Sequence, residues 1–113
     1  AGGVVRNRDG GVMGEATIDF VSQFKVDYAI IGISGIDESG DLLDFDYQEV
    51  RVSKAIIENS RNIFLAADHS KFGRDAMTRL GNISEVHHVF TSEQPSEAIS
   101  SILQKHNIQL SLP

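Results

Sequence analysis

Two apolar runs in the sequence are each followed by residues that can hold a phosphorylated ligand. The residues are Ser34, Gly35 and Asp37 after the run at 27–33, and Asp68, Ser70 and Lys71 after the run at 62–68. A lysine ammonium and glycine N–H groups are donors for a phosphate, and carboxylates accept hydrogen bonds from hydroxyls. The two sets therefore predict a binding site for an anionic, hydroxyl-bearing molecule. An Asp-x-Ser-Lys sequence after a strand is equally compatible with a turn that carries a solvated lysine.

A helix predicted at 46–59 would add its first turn to this site. Asp46 is suited to the N-cap position, and Glu49 follows it at the capping-box spacing. The N-terminus of a helix offers unpaired N–H groups and a positive dipole end, which favour an anion. Glu49 is expected to accept hydrogen bonds from ligand hydroxyls. Lys54 is expected either to form an ion pair with Glu49 or Asp37, or to extend across the helix surface into solvent.

The elements that would position these residues alternate between strands and helices. Strands are predicted at 27–33, 62–68, 86–91 and 108–112, with a short extended piece at 42–45, and helices at 14–24, 46–59, 74–80 and 95–106, the last opened by Pro95. Nearly continuous apolar runs are typical of strands that are buried on both faces. The alternation predicts an α/β fold with a mostly parallel sheet flanked by helices. Ligands of such sheets bind outside the carboxyl ends of the strands, where the two polar sets lie.

Other kinds of site have little support in the sequence. The histidines are separated or adjacent in a way that does not match metal-ligand spacing, so no metal site is predicted. Of the adjacent pair His87 and His88, one is expected to face the core and the other solvent. There is no GxGxxG or Walker sequence and nothing that resembles a Ser-His-Asp nucleophile site. No cofactor is therefore predicted.

Composition and charge limit the class of protein. The 113 residues include 16 acidic and 10 basic ones, with a formal net charge of −6 and no cysteine. Nucleic-acid binding depends on clustered Lys and Arg, which are scattered here, so this segment by itself is expected to repel DNA. No apolar run approaches the roughly 20 residues that span a bilayer. We expect a soluble, cytoplasmic protein with no membrane association.

The same residues carry a resemblance to a known family. The short sequences GEA at 14–16, GISG at 32–35, EVRVSK at 49–54 and DHSKFG at 68–73 resemble the sensor domain of DeoR-type transcriptional repressors. Longer stretches, among them 8–20 and 54–77, resemble the members of that family that respond to glycerol-3-phosphate. The resemblance implies that 1–113 is the C-terminal part of an effector-binding domain, which lacks the family's first sensor strand and its N-terminal helix-turn-helix domain.

The family also implies a function and partners. Its effectors are small phosphorylated polyols or sugars, here glycerol-3-phosphate, and effector binding relieves the binding of operator DNA by the N-terminal domain. The intact protein is expected to be a homo-oligomer, a dimer or a tetramer. The effector contacts are expected from the eight residues already considered, which are Ser34, Gly35, Asp37, Glu49, Lys54, Asp68, Ser70 and Lys71.

Two other classes of function remain open from the sequence. The family shares its fold with ribose-5-phosphate isomerases, and the Asp-x-Ser-Lys sequence can be aligned with theirs. Ser53 then occupies the position of the isomerase's glutamate base, and a hydroxyl cannot abstract a carbon-bound proton near neutral pH without an activating base. The sequence therefore favours a catalytically silent sensor over an enzyme, although Glu49 lies nearby. A ligand-independent oligomerisation domain is the remaining alternative.

Overall fold

The computed structural model describes residues 25–113, which form two small sheets and two α-helices. The larger sheet contains four parallel strands in the order β1-β4-β6-β7. These strands are β1 (Val26–Ile31), β4 (Ser60–Ala66), β6 (His88–Phe90) and β7 (Gln109–Ser111). The predicted α/β fold with a mostly parallel sheet is therefore confirmed, and β7 is an edge strand as expected. The helix predicted at 14–24 lies outside the described residues.

The smaller sheet is antiparallel, and sequence reasoning anticipated only part of it. It contains β2 (Gly35–Ile36), β3 (Asp41–Asp44) and β5 (Thr78–Asn82), in that order. The extended piece at 42–45 corresponds to β3. The helix predicted at 74–80 is wrong, because this segment runs into β5, which pairs with β3 from Asp41↔Asn82 to Asp44↔Thr78. The pairing joins distant parts of the chain, and it outweighs the weak local preference of this segment for a helix.

The two helices begin at polar caps. The first, α1 (Tyr47–Glu58), has Asp46 as its N-cap, whose carboxylate accepts hydrogen bonds from the backbone N–H groups of Gln48 and Glu49. This confirms the predicted cap. The second, α2 (Glu97–Lys105), begins two residues later than Pro95, because the Ser96 side chain accepts a hydrogen bond from Ile99 N–H and is the N-cap.

Both helices pack on the same face of the parallel sheet. Val50 and Ile56 of α1 and Ile99 and Leu103 of α2 belong to a single buried cluster together with the inward-facing residues of the strands. Alternate residues of β1, β4 and β6 enter this cluster: Ala29, Ile31, Ile63, Leu65 and Val89. The expectation that the strands are buried on both faces is wrong for the described part of the chain, since the residues between these are exposed or half-buried.

The adjacent histidines also differ from expectation, since neither enters the core. His87 is exposed, and its Nδ1 accepts a hydrogen bond of 3.0 Å from the backbone N–H of Ile63. His88 points to the sheet face opposite the helices, where its Nε2 lies 2.7 Å from Ser111 Oγ. The flanking Val86 and Val89 fill the core positions instead.

Candidate functional site

The two polar loops predicted to form a site are in contact at the carboxyl edge of the parallel sheet. One loop follows β1 and contains Ser34. The other follows β4 and continues through a 3₁₀ turn at His69–Lys71. The second loop docks on β2 through a hydrogen bond of 2.7 Å from Gly73 N–H to Ile36 C=O and through a parallel bridge between Ile36 and Phe72.

The close approach of these loops requires glycine at position 35. A Cβ atom on Gly35 would lie 2.4 Å from the backbone carbonyl oxygen of Arg74. That distance is far inside van der Waals contact, and the obstructing atom is backbone, which cannot turn away as a flexible side chain can. The predicted role of Gly35 was to offer its N–H to a phosphate. The structure shows in addition that this residue permits the contact between the two loops.

Asp68 lies at the start of the second loop and organises it. One carboxylate oxygen accepts a hydrogen bond of 2.9 Å from Ser70 N–H, and the other accepts one of 3.1 Å from Ser92 Oγ. Hydrogen bonding by Ser70, first through its side chain and then through its backbone, and by Ser92 lowers the pKa of Asp68 below its ordinary value of 3.8. Asp68 is therefore an anion at neutral pH and is committed to holding this loop together.

Lys71 ends the 3₁₀ turn of the second loop. Its backbone N–H donates to Asp68 C=O at 2.9 Å, so the turn fixes the position of the Lys71 backbone from which the side chain extends. The side chain is half-buried, and within the described residues its ammonium forms no hydrogen bond or ion pair. A tethered cation with unused donors is suited to an anionic ligand.

The first loop contributes a hydroxyl that pairs with a carboxylate at the end of β3. Ser34 is half-buried, and its Oγ donates a hydrogen bond of 2.9 Å to Asp44 Oδ1. The sequence analysis included Ser34 among the effector contacts but not Asp44. The pair lies between the end of β1 and the end of β3, beside the first turn of α1.

Asp37 is occupied by the turn that joins β2 to β3. Its Oδ1 accepts hydrogen bonds from the backbone N–H groups of Ser39 and Asp41, at 3.0 and 2.9 Å, and from the Ser39 hydroxyl at 2.6 Å. These contacts explain an aspartate at this position without a ligand. A role of Asp37 in binding a hydroxyl therefore stays a prediction.

The two candidates on α1 occupy different parts of the helix. Glu49 lies in the first turn and is half-buried, close to the N-cap that Asp46 provides. Lys54 lies five positions later and is exposed, which places it about 7.5 Å further along the helix axis. Among residues 25–113 Lys54 forms no ion pair, so the suggested pairing with Glu49 or Asp37 is absent there.

Sequence reasoning missed the contribution of the third parallel strand. Ser92 follows β6, and its Oγ accepts a hydrogen bond of 2.8 Å from His69 N–H while it donates to Asp68. A shallow depression lies beside it, between the carboxyl ends of β4 and β6, and is lined by residues that include Ala66, Asp68, Phe90 and Ser92. The rule that directs attention to strand ends would have identified Ser92 had it been applied to the strand at 86–91 as well.

Two further properties follow from the described residues. No group of three or more metal-binding side chains occurs within 25–113. No helix in that part of the chain is long and apolar enough to cross a membrane.

The fold and the paired loops define a class of protein: an α/β domain with polar loops gathered at the carboxyl edge of a parallel sheet, where such domains bind small ligands. Residues 1–93 match the family described as the DeoR C terminal sensor domain. The chain belongs to this family, and the resemblance noted in the sequence is confirmed.

Curated relatives agree with this assignment. The chain is 57% identical over 112 residues to the glycerol-3-phosphate regulon repressor of Escherichia coli, an alignment that covers 99% of this chain and 44% of the relative. It is 53% identical to the protein of the same name from Haemophilus influenzae, over 99% of this chain and 43% of the relative. It is also 37% identical to the HTH-type transcriptional repressor CsqR of Escherichia coli, again over 99% of this chain and 43% of the relative.

The chain thus spans less than half the length of these relatives. They are named as transcriptional repressors and not as enzymes, in agreement with the expected regulatory role.

Proposed function

We propose that this chain is the effector-sensing part of a transcriptional repressor that binds a small phosphorylated polyol or sugar, with glycerol-3-phosphate as the first candidate. Effector binding would weaken the hold on operator DNA of a DNA-binding region elsewhere in the polypeptide. The repressor would act in the cytoplasm as a homo-oligomer. The name shared by two relatives supports the choice of effector.

The observation that carries this proposal is the locked contact between the two polar loops. Gly35 meets the backbone of Arg74, and this contact fixes the Lys71 loop against the loop that contains Ser34. Preformed loops lose little conformational entropy when a ligand binds, which favours affinity for a small molecule. The ammonium of Lys71, which has no partner among residues 25–113, supplies the charge that a phosphate requires.

The structure also supports a sensor in preference to an isomerase. Ser53, which aligns with the isomerase's general base, is only 1% exposed on the inner side of α1. A side chain buried to this extent offers almost no surface to a ligand. The first turn of α1 retains Glu49, so the isomerase alternative predicts turnover of a sugar phosphate that disappears in Glu49→Gln.

The test is a calorimetric titration of the intact repressor with glycerol-3-phosphate, glycerol and ribose-5-phosphate. We expect glycerol-3-phosphate to bind and glycerol not to bind, because the charge on the phosphate is the feature recognised by Lys71. Absence of binding by all three compounds would refute this choice of effector and would favour a ligand-independent oligomerisation domain.

Lys71→Ala is the informative variant. Loss of a charge-assisted hydrogen bond costs about 1.5–3 kcal/mol, which corresponds to about a ten- to hundred-fold weaker affinity. Release from operator DNA should then require a correspondingly higher effector concentration, whereas DNA binding without effector should be unchanged. Lys105→Ala, at the exposed end of α2, is the matched control that removes the same charge far from the loops. Equal affinities of the two variants would show that Lys71 is not a contact.

A further inference from the structure

The carboxylate of Asp44 lies beside the first loop and is tied to it by only one of its two oxygens. Its Oδ1 accepts hydrogen bonds from the Ser34 hydroxyl at 2.9 Å and from the backbone N–H of Phe45 at 2.7 Å. Its Oδ2 has no hydrogen-bond or ion-pair partner among residues 25–113. Asp44 is half-buried, so part of the residue remains accessible to a small molecule.

Ser34 and Asp44 together present hydrogen-bond acceptors and no donor. A carboxylate only accepts hydrogen bonds, so the Ser34 hydroxyl donates its hydrogen to Asp44. The pair is left with a lone pair on Ser34 Oγ and with the second carboxylate oxygen. A group that binds there must therefore supply a donor, as a hydroxyl does. A phosphate near neutral pH offers mainly acceptor oxygens and carries the same sign of charge as the carboxylate, so it is repelled.

Lys71 has the opposite preference and lies close to this pair. The parallel bridge between Ile36 and Phe72 holds the two loops side by side. Ser34 precedes Ile36 by two positions, and Lys71 immediately precedes Phe72. With the usual rise along a strand and spacing between strands, the backbones at 34 and 71 lie about 10 Å apart or less. A lysine side chain and a ligand of three carbons can together bridge this distance.

The neighbouring aspartates are placed differently. Both carboxylate oxygens of Asp68 hold the second loop, and the carboxylate of Asp46 is directed at the first turn of α1. Asp37 holds the backbone at Asp41, three positions before Asp44 on β3, and is thus about 10 Å away at the other end of the hairpin. Of these aspartates, Asp44 is the one hydrogen-bonded to Ser34 of the first loop.

We propose that Asp44, supported by Ser34, selects a monophosphate that carries a free hydroxyl at the end remote from the phosphate. The phosphate binds Lys71, and the hydroxyl donates to Asp44. This inference rests on the proposed function and adds two specificities to it. A phosphate without hydroxyls binds weakly because the acceptors stay unpaired, and a compound with a phosphate at both ends is disfavoured because its second phosphate meets the carboxylate.

The test compares three ligands by calorimetric titration of the intact repressor. They are glycerol-3-phosphate, propyl phosphate, which has the same number of carbons and no hydroxyl, and propane-1,3-diol bisphosphate, which has a phosphate at each end. Loss of a hydrogen bond to a charged group corresponds to about a ten- to hundred-fold weaker affinity. We therefore expect both comparison compounds to bind about ten- to hundred-fold more weakly than glycerol-3-phosphate.

Asp44→Asn is the informative variant. The asparagine keeps the size of the side chain and a carbonyl oxygen for the Ser34 hydroxyl, but it removes the charge and replaces the second oxygen by a donor. Affinity for glycerol-3-phosphate should fall by about tenfold or more, affinity for propyl phosphate should not change, and the bisphosphate should bind more tightly. Glu58→Gln is the matched control, because it removes the same charge from an exposed residue about 16 Å along α1 from its first residue. All three affinities should be unchanged in this control.

The outcomes separate this inference from the proposed function. Equal affinities of the wild-type repressor for glycerol-3-phosphate and propyl phosphate would overturn the inference and leave a phosphate sensor standing. Equal weakening of both ligands by Asp44→Asn would also overturn it, because Asp44 would then not recognise the hydroxyl. Absence of binding by either phosphate would refute the proposed function, and this inference with it. If circular dichroism shows that Asp44→Asn does not fold, Ser34→Ala tests the same pair: it should reduce the preference for glycerol-3-phosphate over propyl phosphate, and an unchanged preference would overturn the inference.

Discussion

Replacing Gly35 by alanine should separate the two loops that form the candidate site. The added Cβ would lie 2.4 Å from the Arg74 carbonyl oxygen and 3.0 Å from the adjacent carbonyl carbon. Relief of this clash requires the backbone at 73–74 to move away from β2, which weakens the hydrogen bond of 2.7 Å between Gly73 N–H and Ile36 C=O. Overpacking of this kind costs about 1–3 kcal/mol of folding free energy.

The loss can be measured by urea unfolding of the intact repressor. With a typical dependence of stability on denaturant, the midpoint should fall by about 0.5–1.5 M. Effector affinity should fall as well, by about tenfold or more, because the moved loop carries Lys71. Gly32→Ala is the matched control: it lies three residues earlier, in the loop that precedes β2, and a Cβ there meets no atom of the described residues within 4 Å. If the two variants had the same stability and affinity, the proposed role of the close approach would be refuted.

Two further predictions concern pH and the network of the second loop. The pKa of Asp41 is lowered below 3.8, chiefly by the hydrogen bond from Arg79. This carboxylate therefore stabilises the fold above pH 3.8, and its contribution is lost as the pH falls below that value through the lowered pKa. Asp41→Asn should therefore cost up to about 1 kcal/mol at pH 7 in urea unfolding and progressively less below pH 3.8, whereas an equal loss at every pH would argue against the ion pair. Ser92→Ala should raise the pKa of Asp68 in an NMR titration, and an unchanged pKa would show that the Ser92 hydrogen bond is not formed.

The sequence predicted the elements whose signals are local. The apolar runs gave β1 and β4, and Asp46 marked the start of α1, because a buried strand and an N-cap depend on neighbouring residues. The helix expected at 74–80 was wrong for the opposite reason. In β5, Arg79 forms an ion pair with Asp41 at 2.8 Å, a contact between residues 38 positions apart that no local pattern reveals.

The burial of the strands was harder to predict than their positions. A run such as that of β1 is apolar at successive positions, which is typical of strands with both faces covered. In the described structure Ala29 and Ile31 are buried, whereas Tyr28 and Ile30 are exposed. The apolar run predicts the strand, because that signal is local, but it does not reveal which face of the strand the helices cover.

The candidate site could be located from the sequence, but its internal contacts could not. The strand-end rule identified the loops with Ser34 and Lys71, because it requires only the positions of the strands. The participation of Ser92 depends on a hydrogen bond to Asp68, 24 positions earlier, which no local pattern reveals. Asp37 is instead held by hydrogen bonds within its own turn. The eight predicted contacts therefore separate into residues of the two docked loops, the two α1 residues Glu49 and Lys54, and Asp37, whose described contacts are already explained by its turn.

The sheet face opposite the helices and the candidate site meet at Phe90. Its ring stacks on His88 on that face, and it also lines the depression beside Asp68 and Ser92. A ligand shifts a conformational equilibrium only when it makes different contacts in the two states. Phe90 is therefore the described residue through which a ligand in the depression would alter packing on that face of the sheet.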